Sequence, residues 1–381
     1  AMLRSDDGGE SWIRTNEDYD IAIRPFYYTE VTADPENADR VYNIFTRLSV
    51  SIDGGKNFEL NPVIDCCSAS NTIHIDNHAF WINPSDPKHL VIGNDGGIAI
   101  SRDRGETWRY VRNLPLSQFY HIAVDNDHPY HIYGGLQDNG SWRGPSEVWE
   151  NAGIRNLHWQ EVAFGDGFDT LPDPQNSRQG YAMSQGGNLS RWDLDTGEQK
   201  LIKPSPPAPD VELRFNWSAG LALDPFDPVT IYYGSQFLHK STDRGQSWTT
   251  ISGDLTSNNP DMQTFHQSGG LTADVTDAET YTTIVAVAPS RLEQGTIWVG
   301  SDDGRVHITQ NGGDSWARID TRAKGAPDGA WVSMIAPSPH DAGTAFVVLD
   351  DHRRSDMKPY AYRVTSHGKK WESLITDQVS G

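Results

Sequence analysis

The stretch Ser101-Arg102-Asp103-Arg104-Gly105-Glu106-Thr107-Trp108 decides the fold, because its pattern Ser-x-Asp-x-Gly-x-x-Trp returns along the chain. We call each copy a box. Glycine allows positive φ, and aspartate accepts backbone N–H bonds in a turn, so each box predicts a β-hairpin. The boxes begin at Ser5, Ser51 (with Phe58 for Trp), Ser101, Ser241 and Thr309, and a degenerate copy keeps only Gly368 and Trp371. The gaps are roughly 45–70 residues, apart from 140 between Ser101 and Ser241, which leaves room for two repeats without a box, so the spacing indicates repeated small sheets.

A second pattern completes each repeat: two apolar runs flank a turn rich in Pro, Asp and Asn, which predicts a pair of strands. Seven such pairs occur, at 31–42, 79–92, 120–133, 168–182, 221–233, 284–299 and 332–348. With the box as third and fourth strands, the repeat predicts an all-β fold, a β-propeller of seven four-stranded blades. We expect residues 26–381 to form it, and residues 1–25 to be an orphan box hairpin of a preceding or ring-closing blade.

Blades 3 and 4 are predicted to lack a box. In blade 4 a plain turn at Asp193-Leu194-Asp195-Thr196-Gly197 replaces it. In blade 3 we expect residues 139–156 to form a long excursion that lines a site, because long loops in compact domains are often functional.

Composition excludes several classes of protein. The 381 residues include 52 Asp+Glu and 31 Lys+Arg, for a net charge of −21. Nucleic-acid binding needs clustered cations, so no nucleic-acid partner is expected. No apolar run approaches the ~20 residues of a membrane helix, so no membrane insertion is expected either. Cys66 and Cys67 are the only cysteines and are adjacent, which excludes a disulfide scaffold.

The boxes resemble the Asp-box, or bacterial neuraminidase repeat. More specifically, the chain resembles the large bacterial sortilin-like or "glycosyl hydrolase" Asp-box proteins, through the motifs at 94–97, 118–121, 134–142, 214–217 and 252–256. The resemblance implies a secreted or periplasmic propeller. It also implies a second propeller of a longer parent protein as a partner. The box residues themselves are expected to be structural: Asp7, Asp53, Asp103, Asp243 and Asn311.

A candidate site is expected at the upper end of the blades, which we define as the end where strand one begins and strands two and three are joined. Three carboxylates are predicted there as catalytic residues: Asp138, Asp95 and Asp166. Glycoside hydrolysis needs one protonated and one ionised carboxyl across the scissile bond, and clustered carboxylates raise one another's pKa. The alternative for each aspartate is a plain turn-forming role.

Amide, aromatic and cationic residues accompany these acids. The predicted ligand-binding residues are Gln137, Asn139, Trp142, Arg214, Trp217 and Tyr120. Flat rings beside amides suit sugar faces, by stacking and hydrogen bonding. They equally suit packing between blades, which we favour for Trp217.

The run His74-Ile75-Asp76-Asn77-His78 is the candidate metal site. If it is extended, its period of two places His74, Asp76 and His78 on one face, where they could hold a divalent metal such as Zn or Mn. The alternative is that they hydrogen-bond loops and tie blades together. No other cofactor is expected.

These features favour a secreted carbohydrate-active propeller, either glycoside hydrolase-like or glycan-binding, with a polar acidic site at the channel mouth. The alternative is a sortilin-like peptide- or protein-binding module, or an assembly scaffold without catalysis. The same loops would serve either, because propeller sites assemble from distant segments.

Overall fold

The computed structural model describes residues 1–23, 27–64, 73–263 and 280–376. The chain divides into two compact units, residues 1–117 and residues 118–381. Cys66 and Cys67 lie outside the described residues. Helix in the described part is limited to six 3₁₀ turns of three residues, Tyr19–Ile21, Asn156–His158, Gln185–Gly187, Pro260–Met262, Asp320–Arg322 and His352–Arg354. None of its helices is long and apolar enough to span a bilayer.

The first unit contains three antiparallel sheets. The smallest is a two-stranded box hairpin, β1 (Met2–Arg4) and β2 (Ile13–Asn16). Blade 1 consists of β3 (Glu30–Asp34), β4 (Asn37–Ile44), β5 (Leu48–Ser51) and β6 (Glu59–Leu60). Blade 2 consists of β7 (Asn77–Ile82), β8 (Leu90–Asn94), β9 (Gly97–Ser101) and β10 (Arg109–Tyr110).

The second unit contains five four-stranded sheets. Blade 3 consists of β11 (Phe119–Val124), β12 (His131–Leu136), β13 (Ser141–Pro145) and β14 (Gln160–Ala163). Blade 4 consists of β15 (Gly167–Asp173), β16 (Asn176–Ser184), β17 (Asn188–Asp193) and β18 (Glu198–Leu201). Blade 5 consists of β19 (Leu221–Leu223), β20 (Ile231–Gly234), β21 (Leu238–Ser241) and β22 (Thr249–Thr250).

Blades 6 and 7 complete this unit. Blade 6 consists of β23 (Ile284–Pro289), β24 (Ile297–Ser301), β25 (Val306–Thr309) and β26 (Ala317–Arg318). Blade 7 consists of β27 (Trp331–Pro337), β28 (Ala345–Asp351), β29 (Asp356–Thr365) and β30 (Lys370–Ser373). Every blade runs in simple up-and-down order. The predicted all-β propeller class, with seven four-stranded blades, is confirmed.

The core of the second unit lies between neighbouring blades. Phe168 and Tyr181 of blade 4 pack with Leu221 and Tyr233 of blade 5, and all four are at most 7% exposed. Burying such side chains on both faces of a sheet contributes about 1.5–3 kcal/mol each, so the stacking of blades stabilises the unit.

Each intact box forms the predicted hairpin between strands three and four. In blade 5 the Asp243 carboxylate accepts bonds from Ser241 Oγ and from the backbone N–H of Ser247, while Gly245 N–H donates to Ser241 Oγ. Asn311 accepts from Thr309 and Ser315 in the same way in blade 6. Glycine is required at the fifth position, where Gly245 has φ 82°.

The predicted excursion at residues 139–156 is wrong. Residues 141–145 are strand β13, paired with both β12 and β14, and the irregular segment is 146–159. That segment joins strands three and four, so it lies at the end that holds the boxes in other blades. The apolar-polar alternation of Ser141–Pro145 is too short to separate a strand from a loop in the sequence.

Candidate functional site

Strand one of several blades carries a β-bulge at its upper end. The register shifts at Asn77/Ala79 in the first unit, and at Phe119/His121, Gly167/Thr170, Ile284/Ala286 and Val332/Met334 in the second. Bulges re-aim side chains and are frequent beside active sites. The shifted residues include His78, Tyr120, Phe168 and Asp169 in blades 2–4, but Val285 and Ser333 in blades 6 and 7. The bulge residues with titratable side chains are therefore in blades 2–4.

In the first unit the structure brings His78 to Asp95, with Nε2 3.1 Å from Oδ1. The His78 ring packs edge-on against Tyr27 and Tyr28, at centroid distances of 5.3 and 5.2 Å. Tyr28 also donates its hydroxyl proton to Asp76 at 2.6 Å. These contacts make a compact polar and aromatic group at the upper end of blades 1 and 2.

The run from His74 to His78 is not extended throughout, so the condition for the metal hypothesis is not met. Asp76 has φ 60°, in the left-handed region, and a regular strand begins only at Asn77. A single left-handed residue breaks the period-two alternation on which the metal prediction depended. His74 Nδ1 lies 2.9 Å from its neighbour's carbonyl, Ile75 O, while His78 contacts Asp95. The three residues thus have separate contacts.

Another group meets the distance requirement for metal ligands. Asp125, Asp127 and His131 are the one set of three among the described residues whose donor atoms all lie within 4.8 Å. They line the turn between β11 and β12, at the lower end of blade 3. Asp125 already accepts bonds from His131 and Tyr133, so protein donors occupy this carboxylate.

In the second unit, two glycines let blades 3 and 4 approach closely. A Cβ added at Gly135 would lie 2.0 Å from the backbone of Gly167, so neither position tolerates a side chain. The same contact places Asp138 beside Asp166: the N–H of Asp138 donates to the Asp166 carboxylate at 2.9 Å. Asp166 N–H donates in turn to Gln185 at 3.0 Å.

These two predicted acids differ in their surroundings. Asp166 is 9% exposed and serves as acceptor for the backbone of its neighbour. Asp138 is half-buried and has φ 57°, a left-handed conformation that aspartate tolerates better than most residues. Asp138 is therefore the more exposed of the two carboxylates, and Asp166 holds its loop.

The bulge turns two consecutive residues of β11 toward β15. Tyr120 stacks on Phe168 with a centroid distance of 4.5 Å and an interplanar angle of 8°. His121 Nδ1 lies 2.8 Å from Asp169 Oδ1. The hydrogen bond to Asp169 raises the pKa of His121, against the opposing effect of burial.

The remaining predicted ligand-binding residues of blade 3 make contacts within its upper connection. Gln137 N–H donates to Gln118 O at 3.1 Å, and the Asn139 side chain donates to Gln137 O at 2.8 Å. Trp142 Nε1 donates to Asn139 O at 2.5 Å. The connection that presents Asp138 is thus held from both sides.

Arg214 and Trp217 belong to a separate network. The Arg214 guanidinium donates to Asp254 at 2.7 Å and to Thr282 O at 3.2 Å. Trp217 packs in the core beside Phe215 and Tyr233, which is the packing role favoured from the sequence. Both residues hold the entry to blade 5.

Three residues outside the predicted site set have notable environments. The motif at 118–121 contains His121, and its partner Asp169 on β15 is revealed by the structure. Glu161 lies with Oε1 2.8 Å from where a Cβ of Gly140 would stand, and burial raises its pKa. Asp302 is 2% exposed, and burial raises its pKa to about 7 although Thr283 and Asn216 donate hydrogen bonds to it. No sequence pattern marks these environments.

Comparison with known proteins gives one curated relative and several remote structures. No family model matches the chain. An oligoxyloglucan-reducing end-specific xyloglucanase of Emericella nidulans is 23% identical over 358 residues, which is 88% of this chain and 40% of that protein. The chain thus spans less than half the length of this relative.

The solved structures are more distant. A GH74 enzyme of Niastella koreensis is 13% identical, with a TM-score of 0.28 over 97% of this chain and 69% of that chain. YCF48 of Cyanidioschyzon merolae is 12% identical, with a TM-score of 0.38 over 84% of this chain and 92% of that chain. At these TM-scores the likeness adds nothing to the fold described above.

Proposed function

We propose that this chain is part of a carbohydrate-active propeller of the glycoside hydrolase type, with its site at the upper end of blades 3 and 4. The observation that carries the proposal is the half-buried Asp138 in a left-handed turn whose backbone N–H bonds Asp166, at the blade junction where Tyr120 stacks on Phe168. Left-handed non-glycine residues are costly and concentrate at functional sites. The likeness to a xyloglucanase, a protein named for acting on xyloglucan, supports the substrate class.

The chemistry follows from the residue types. Asp138 supplies an ionisable oxygen at the mouth, and the amides of Gln137 and Asn139 fix hydroxyl groups beside it. In the first unit, His78, Asp95 and the Tyr27–Tyr28 pair offer a second polar and aromatic group of the same kind. Secretion or export to the periplasm and a second propeller as partner remain proposals.

The test is the release of reducing sugars from xyloglucan and from its oligosaccharides, measured for the wild-type chain and for Asp138→Asn. We expect the variant to keep its melting temperature and to lose at least about 100-fold in kcat/KM, the usual range for a proton-transfer carboxyl. Asp195→Asn is the matched control, because Asp195 lies in the lower-end turn of blade 4 and pairs with Arg178.

Two outcomes would contradict the proposal. If Asp138→Asn unfolds the protein while glycan cleavage per folded molecule is unchanged, Asp138 is a structural turn residue. If the wild-type chain cleaves no glycan but binds peptides at the upper end, the sortilin-like alternative is the correct function.

A further inference from the structure

The His121–Asp169 pair joins strand one of blade 3 to strand one of blade 4. In the same unit, the contacts of strand one in blades 6 and 7 include apolar ones, with Gly220 against Val287 and Gly300 against Val332. Polar pairs in such places are weak evidence for stability, since apolar contacts of similar shape do as well. A histidine and a carboxylate at the blade 3–4 junction therefore call for a functional explanation.

The geometry of the pair leaves one ring nitrogen available. Nδ1 of His121 is held by Asp169 at 2.8 Å, and the ring edge packs on Phe168 at 6.3 Å. Nε2 has no hydrogen-bond partner among the described residues, and the side chain is 46% exposed. A carboxylate on Nδ1 fixes both the tautomer and the orientation of an imidazole. Nε2 is thus aimed outward from strand one.

The pair is close to the connection that presents Asp138. Gln137 N–H bonds Gln118 O, and His121 follows Gln118 by three residues along β11. Three strand residues span about 10 Å, close to the roughly 6.5–9.5 Å that separates acid and base in inverting glycosidases.

The electrostatics favour an imidazolium. The Asp169 carboxylate stabilises the charged ring and raises its pKa. Tyr233, whose pKa Asp169 also raises, is fully buried, and burial holds its pKa well above the usual value, so it stays neutral. The Asp138 carboxylate faces the same upper end from β12.

We propose that His121 is the proton donor of the hydrolysis proposed above, with Asp169 as its positioning residue. The inference rests on the proposed function and assigns the acid to a histidine instead of a second carboxyl. Nε2–H gives its proton to the glycosidic oxygen as the bond from that oxygen to the anomeric carbon breaks. The Asp138 carboxylate takes a proton from a water molecule whose oxygen bonds to the same carbon. Water has then added across the bond. His121 regains a proton from solvent, and Asp138 releases its proton to solvent.

The first test compares leaving groups. With xyloglucan oligosaccharides, His121→Asn should lower kcat/KM by about 100- to 10,000-fold. With dinitrophenyl cellotetraoside, whose leaving group needs no proton, we expect a loss of less than about tenfold. Asp138→Asn should abolish cleavage of both substrates, because it removes the base. If the wild-type chain cleaves neither substrate, the proposed function itself is contradicted. His367→Asn is the matched control, because His367 pairs with Glu293 at the lower end of blade 7.

The second test is the pH profile. A general acid must be protonated, so activity should fall as pH rises through the pKa of His121. Asp169→Asn removes the charge that raises this pKa, and the basic limb should therefore move to lower pH. Three results would overturn the assignment. The first is an unchanged basic limb in Asp169→Asn, and the second is an equal loss on both substrates in His121→Asn. The third is that Glu161→Gln, and not His121→Asn, shows the dependence on the leaving group.

Discussion

At the residue scale, Asp302 carries a testable pH dependence. Its burial raises the pKa to about 7, so the folded chain keeps a proton that the unfolded chain releases near pH 4. Stability should therefore fall as pH rises between about 4 and about 7, and Asp302→Asn should remove this component. Urea unfolding at about pH 5 and about pH 8 measures it, because any constant cost of the substitution cancels in the difference. Equal pH dependence in both proteins would show that Asp302 is ionised throughout.

At the element scale, the box hairpins also join blades. Arg104, in the blade 2 box, donates to Asp34 at 3.1 Å and to Glu36 at 2.9 Å in blade 1, and Arg244 makes the same contact with Asp173. The Asp34 side chain is fully buried, so Arg104→Ala leaves it without its charged partner. We expect a loss of about 1–3 kcal/mol in unfolding free energy. Arg102→Ala is the control, because Arg102 is two residues away and exposed. Equal losses of unfolding free energy in the two variants would show that the Arg104–Asp34 contact does not stabilise the fold.

At the scale of the whole molecule, the net charge of −21 predicts a preference for neutral over anionic glycans. An acidic surface repels polyanions. At 0.1 M salt this repulsion is largely screened at distances beyond about 10 Å. We expect cleavage or binding of neutral xyloglucan to vary little with salt, whereas any activity on polygalacturonate should be weak and should rise with salt. Initial rates or binding isotherms across a salt series measure this. A preference for the anionic polymer at low salt would contradict it.

The sequence by itself determined the fold class and the blade count. Boxes and strand pairs are local patterns, because turn chemistry and two-residue periodicity involve neighbours in the chain. Ser241, Asp243 and Gly245 bond one another within a single hairpin, and the blade 5 box could therefore be read directly.

Only the tertiary structure decided how the candidate site is composed. Asp166 and Asp138 meet because two glycines on different blades touch, and His121 finds Asp169 across the same junction. The left-handed turn at Asp76 separates residues that an extended strand would have aligned. Such pairings depend on blade packing and on single backbone torsions, which residue spacing does not encode, and burial then sets the pKa of Glu161 and Asp302.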